Sequence, residues 1–356
     1  MPHQINSHRT RAWTAMCAAL IAACSHQPVK PPPPVYPPPP AEARFIYDAT
    51  LRSEGDIHVP TWRERLLGFI SGGDAPALGF AKPYGIAVKQ QRVFVTDTQQ
   101  RAVVMFDIAQ KRFKLFGAEG PGSLQKPLGI ALSNAREIYV VDASAKRVVV
   151  FDWEGNFLRY LGDKLALQRP AGIALDPQGT RCYVIDVGGV DSDAHHVVVL
   201  DSQTGEVLGR IGKRGSGDGE FNLPLQASVD TQGRLYVVDG GNFRIQIFDA
   251  TGKFLRTFGS AGRYGGQFSR PKGIAIDAQN HIYVVDTAFG NFQIFDEQGQ
   301  LLLPVGDRGT GGGPGQFMLP SSVAVDDDGR IYVVDQFFRK VEIIRPIGLT
   351  PMVLKQ

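Results

Sequence analysis

Apolar residues recur in short runs along most of the chain beyond residue 80, and turn-type residues interrupt them at regular intervals. Between residues 271 and 306 (PKGIAIDAQNHIYVVDTAFGNFQIFDEQGQLLLPVG) this pattern predicts four strands, at 273–277, 281–286, 291–296 and 300–305. Each is rich in Ile, Val, Tyr or Phe, the residues that suit a pleated, packed surface. The IYVVD run is almost continuously apolar rather than alternating, which predicts a strand covered on both faces. A lone four-stranded meander cannot cover both of its own faces, so the segment predicts neighbours like itself.

The chain supplies them. Aligned on the proline that opens the first strand, six copies start at Pro83, Pro127, Pro170, Pro224, Pro271 and Pro320. The second strand ends in an aspartate each time, at Asp97, Asp142, Asp186, Asp239, Asp286 and Asp335. An aromatic or Leu sits three residues before each opening proline: Phe80, Leu124, Leu167, Phe221, Phe268 and Phe317. Four strands at this period predict a propeller blade. The fold class is therefore all-β, with repeats over 80–345 forming a six-bladed β-propeller of four-stranded antiparallel blades. Copy 6 lacks a fourth strand, while an orphan strand at 44–51 (RFIYDATL) precedes copy 1. The orphan is expected to complete the last blade and close the ring, removing two open edges. The domain then spans 42–349, with a tail at 350–356.

The consensus, roughly PxGIAVDxxGxIYVVDxxxxRVxIFDxxGxFLxxFG, resembles the NHL repeat, which implies six blades around a central channel. An Arg five residues after the second-strand Asp belongs to that family pattern. Arg147 and Arg244 match it, Arg101 and Arg339 sit one residue closer, Asn291 replaces it in copy 5, and copy 3 has His196 after a longer loop. The expected role of the Asp–Arg pair is structural: it satisfies turn amides and ties loops between blades.

Ahead of the repeats, Arg9 and Arg11 precede a short apolar run at 12–23, too short to span a bilayer comfortably, which reads as a signal segment over 1–23. It ends in Leu20-Ile21-Ala22-Ala23-Cys24, which resembles the bacterial lipobox. That resemblance implies cleavage before Cys24 and acylation of Cys24. Ser25 follows it, where an Asp would imply retention at the inner membrane, so the expected location is the outer membrane, on its periplasmic or cell-surface side. A proline-dominated run within 24–41 then predicts a stiff polyproline II tether. At 60–70, Trp62, Leu66, Leu67 and Ile70 fall on one helical face opposite Arg63, Glu64 and Arg65, predicting a short capping helix.

Charge and composition narrow the function. The net charge is +3, and removal of Arg9 and Arg11 with the signal leaves +1, which offers no nucleic-acid footprint. Of the cysteines, only Cys182 remains for the folded body, so no disulfide framework exists. The Gly-rich inter-blade loops at 212–221, 259–268 and 306–317 lack the Gly-Lys-Ser/Thr ending of a phosphate loop and read as connectors. Exposed-looking aromatics on the same face suggest an apolar contact patch for a protein or peptide partner: Tyr84, Phe243, Tyr264, Phe289, Phe337 and Phe338. The competing reading is that these rings pack on adjacent loops.

The long loop of copy 3 offers Asp191, Asp193, His195 and His196 as weak metal candidates. Adjacent histidines on a strand point opposite ways, which argues against joint ligation. Amidating lyases that resemble NHL proteins place histidines from several blades around the channel; that set is missing. At the channel-mouth positions stand Tyr84, Leu128, Ala171, Leu225, Lys272 and Ser321, with Gln226 and Ser322 in place of the usual Gly. They make a poor metal cage, and no cofactor is expected. The reading is a monomeric, lipid-anchored envelope scaffold that engages a partner through one propeller face. A metal-dependent lyase or lactonase at the channel mouth, and an envelope ligand sensor, are the alternatives.

Overall fold

A computed structural model describes residues 32–57, 78–162, 167–189, 192–352 and 354. Cys24, the helix expected over 60–70 and Asp191 lie outside the described residues. The body from Pro34 onward is one compact unit.

Five blades follow the predicted meander. Their strands are Pro83–Lys89, Arg92–Asp97, Ala102–Asp107 and Arg112–Phe116 in blade 1; Pro127–Leu132, Glu137–Asp142, Arg147–Asp152 and Phe157–Leu161 in blade 2; Pro170–Leu175, Arg181–Asp186, His196–Asp201 and Val207–Ile211 in blade 3. Blade 4 comprises Pro224–Val229, Leu235–Asp239, Arg244–Phe248 and Phe254–Phe258, and blade 5 Pro271–Ile276, Ile282–Asp286, Asn291–Phe295 and Leu301–Val305. Each sheet runs in sequence order and is antiparallel throughout. The second and third strands are buried almost end to end, as their continuous apolar pattern requires. What covers them is the neighbouring blade. Tyr236, Val238 and Ile245 of blade 4 form one cluster with Ile274, Ile282, Val284 and Phe295 of blade 5.

First strands stand side by side around the channel, and Pro320–Val325 of blade 6 meets Pro83–Lys89 of blade 1 to complete the ring. Their approach explains the glycine after the opening proline. A Cβ at Gly85 would lie 2.4 Å from the Leu128 carbonyl oxygen, and one at Gly129 would lie 2.8 Å from that of Ala171. Only a residue without a side chain fits so close to a neighbouring backbone. In blade 4, where Gln226 stands at this position, its Oε1 accepts a hydrogen bond from the Ile173 amide of blade 3 at 3.1 Å.

Blade 6 closes as expected, with an addition. Its order is Val35–Tyr36, Phe45–Leu51, Lys340–Pro346, Ile331–Asp335, Pro320–Val325. The N-terminal strand pairs antiparallel with the third strand, from Phe45 opposite Pro346 to Leu51 opposite Val341. A short fifth strand from the proline-rich run lies outside it, with Tyr36 buried. The stretch expected to be a free tether through residue 41 is therefore part of the ring's edge from Val35 onward. Asp48 fixes the junction. Its buried carboxylate meets Arg330 and Arg345, each at 3.3 Å, and accepts the Met352 amide at 3.0 Å, so the tail is docked as well.

Candidate functional site

Successive strands alternate in direction, so the turns between second and third strands share a face with the connections between blades. Six buried aspartates organise that face. In blade 5, Asp286 accepts the amides of Ser269 (2.7 Å) and Arg270 (3.0 Å) before the opening proline. It also accepts those of Ala288 (2.9 Å) and Phe289 (3.1 Å) in the following turn. Asp97 does the same for Ala81, Lys82, Gln99 and Gln100. Asp142 and Asp335 repeat the four-fold pattern. Each carboxylate thus joins a connection to a turn, as the repeated spacing predicted.

The arginine half of that expectation fails in most blades. Arg244 does pair with Asp239, Nε to Oδ2 at 2.8 Å. Arg147 instead stacks over the Tyr160 ring at 3.8 Å. Among the described residues neither Arg101 nor Arg339 forms an ion pair with its aspartate; both occupy the left-handed region, at φ 54° and 51°. With four backbone amides on each of Asp97, Asp142, Asp286 and Asp335, an arginine is not needed there.

The same clamp fixes the residue before each opening proline. Its amide is held by the aspartate, and its carbonyl accepts a turn amide: Lys82 from Thr98 (3.0 Å), Lys126 from Ala143 (2.9 Å), Arg169 from Val187 (3.1 Å) and Arg270 from Thr287 (3.0 Å). Leu223 and Leu319 occupy the equivalent positions and accept from Gly240 (3.2 Å) and Gln336 (3.1 Å). Blade 4 varies the donor side: the Leu223 amide bonds His195 Nδ1 at 3.2 Å rather than the aspartate. The result is a ring of six exposed side chains at equivalent positions: Lys82, Lys126, Arg169, Leu223, Arg270 and Leu319, with Leu223 alone of the six in the left-handed region at φ 51°. Lys82, Lys126 and Arg169 line a cavity of about 340 Å3 at the channel mouth, walled by Tyr84, Leu128 and Leu225. Lys272 lies beside it, half-buried, with its ammonium 5.1 Å from the Tyr84 ring centre. Burial first, and then the nearby charges of Arg270 and Lys82, lower the Lys272 pKa to about 8. The expected channel-mouth residues are thus brought together. Lys82, Lys126, Arg169 and Arg270 were not anticipated as site residues, although reading the position before each proline across the copies finds them.

The six predicted contact aromatics do not gather into one patch. Tyr84 lines the mouth. Phe243 packs into the cluster between blades 4 and 5, and Phe289 is half-buried. Tyr264 is 80% exposed, but the adjoining Gly265 lies against Leu301 of the outer strand of blade 5, which puts it at the rim. Phe337 is 56% exposed and stacks edge-on to Phe338 at 5.0 Å. Phe338 in turn covers Gly312 of a connection. Those Gly-rich connections are anchored by polar residues of the third strands: Gly219 donates to Gln246 (2.9 Å), Gly266 to Gln293 (2.8 Å) and Gly315 to Glu342 (2.6 Å). Glu342 forms a buried ion pair with Lys340.

Of the weak metal candidates, His195 is buried with Nδ1 committed to Leu223, Asp193 is exposed, and His196 opens the third strand of blade 3. Burial pushes both imidazoles below the usual histidine value. Among the described residues no three His, Cys, Asp or Glu side chains converge as a metal set. The opposite channel mouth is a second cavity of about 350 Å3, whose charged lining residues are Lys89, Asp176, Asp230 and Asp327. The two mouths therefore carry opposite charge.

A family model described as "6-bladed beta-propeller" matches residues 229–292 and 278–342. The mouse protein "NHL repeat-containing protein 3" is 34% identical over 85 residues, 24% of this chain and 23% of that protein. The chain thus spans about a quarter of the length of that relative. Among solved structures, a structural genomics protein of unknown function from Bacteroides thetaiotaomicron superposes with a TM-score of 0.58 at 17% identity, covering 77% of this chain and 71% of that one. A structure titled "Streptogramin B lyase structure" gives 0.54 at 14% identity, covering 75% and 94%. These likenesses establish the fold. Repeat pattern, closed ring and matches agree that the chain is a six-bladed β-propeller whose repeats are similar to those of NHL repeat-containing proteins.

Proposed function

We propose that the protein is a binding scaffold, tethered at the cell envelope through an acylated Cys24, that engages a protein or peptide partner on the face of the basic channel mouth. One observation carries this reading. On that face the backbone is held by six buried aspartates, yet Leu223, Leu319 and Phe337 stand 41%, 36% and 56% exposed. A rigid frame presenting apolar side chains to solvent loses little entropy on association, the condition for a preorganised contact surface.

Photo-crosslinking in intact cells tests it. A photoreactive residue at Phe337 should capture a partner, whereas one at the exposed Gln279 on the opposite face should not. Equal capture from both positions, or none from Phe337, rejects the reading. Cys24→Ser should move the protein from the membrane to the soluble fraction, because anchoring rests on the acyl chains. Unchanged fractionation would remove the anchor from the proposal.

A further inference from the structure

Among the described residues, no carboxylate forms an ion pair with Lys82, Lys126, Arg169, Arg270 or Lys272, and the Lys272 ammonium lies over the Tyr84 ring. Other cations do find carboxylates in this protein. Arg92 reaches Asp107 and Glu154, Arg159 reaches Glu137, and Arg234 reaches Asp230 and Glu297. Carboxylates are close to the mouth too, but the six aspartates beneath it are committed to backbone amides and, at Asp239, to the side chains of Asn242, Arg244 and Gln246. The mouth thus presents cations without direct carboxylate partners beside a cavity, with Lys272 partly desolvated among like charges.

We infer that the channel mouth receives an acidic peptide segment, whose Asp or Glu carboxylates seat among Lys82, Lys126, Arg169, Arg270 and Lys272. This rests on the reading of that face as the partner face and specifies the partner's chemistry. The distribution favours a peptide over a single oxyanion. Cations from four of the six blades surround the opening, which suits carboxylates spaced along a chain rather than one phosphate gripped from several sides. The two remaining ring positions are Leu223 and Leu319, so a segment mixing acidic and apolar side chains is complementary. At about 340 Å3 the cavity is near the lower end of ligand sites, about 300 Å3. It admits side chains rather than a folded body.

Fluorescence anisotropy of the full mature chain with a short fluorescein-labelled Glu-Leu-Glu-repeat peptide tests the inference. Binding should weaken with added salt, and a Lys-Leu-Lys-repeat peptide should not bind. The double substitution Lys126→Glu/Arg169→Glu should raise the dissociation constant about tenfold or more. Both residues are exposed, and Lys126→Gln/Arg169→Gln provides a milder pair should the reversal perturb folding. Lys253→Glu, exposed on the opposite face, should leave binding unchanged. Equal binding of the basic peptide, no binding of the acidic one, indifference to both double substitutions, or displacement by equimolar inorganic phosphate would each overturn it. The two readings fail separately. A partner captured from Phe337 whose capture survives Lys126→Glu/Arg169→Glu refutes the acidic contact alone. Peptide binding without any capture refutes the cellular role alone.

Discussion

A buried carboxylate is costly unless its lone pairs are filled, and Asp286 fills them with amides from two separate segments. Asp286→Ala should therefore cost about 2–4 kcal/mol of stability in denaturant titration at pH 7, because several amides lose their acceptor together. A change within error would show that water replaces it. Lys272 has the opposite character, a charge partly buried without a carboxylate. Its pKa, near 8 in the fold, lies below the value near 10.5 of an exposed lysine. Between those values the unfolded chain holds the proton more tightly, so wild-type stability gains as pH rises from about 8 to about 10.5. Lys272→Met should stabilise the fold by about 1 kcal/mol at pH 7, with the advantage fading over that window, while weakening acidic-peptide binding. Destabilisation at pH 7 would mean that the ammonium has a partner. The aspartates were legible in the sequence because each copy repeats them at one spacing. The cations were not, because a net charge of +3 averages over the chain what the ring gathers at one end.

At the scale of the element, the blades were legible almost to the residue. The strands expected at 273–277 and 291–296 appear as Pro271–Ile276 and Asn291–Phe295. Continuous apolar runs bounded by Asp, Asn and Gly leave few other solutions. The closing strand was also legible, since a copy with three strands needs a fourth. Its own cover was not. Val35–Tyr36 sits among prolines, and only the packing of Tyr36 beside Phe317 and Val333 shows why that run docks. The contact aromatics were the least legible, because an aromatic in a turn reads the same whether it faces solvent or a neighbouring loop. Deleting residues 34–52 should lower the melting temperature by about 10 °C or more, at roughly 2–4 °C per kcal/mol for a domain this large. Removing only 34–40 should cost less. Unchanged melting in the longer deletion would show that the ring holds without its seven-residue clasp, Phe45–Leu51.

Across the whole molecule, neighbouring blades are joined on the far face by side chains reaching to the next blade's outer turn. Arg92 bonds Glu154, Arg181 bonds the Ala250 carbonyl, and Arg234 bonds Glu297. The far face thus uses these charges in holding blades together, while the cations around the near mouth form no ion pair among the described residues. The ring's closure has a further consequence, in time rather than in space. Asp48 and Arg330 are 282 residues apart in the chain. The strand that leaves the ribosome first finds its partner only when the last blade has formed, so the ring cannot shut during synthesis. Contacts of such long range make for slow folding. Until they form, the outer edge of Lys340–Pro346 stays open to any strand that reaches it, from its own chain or from another.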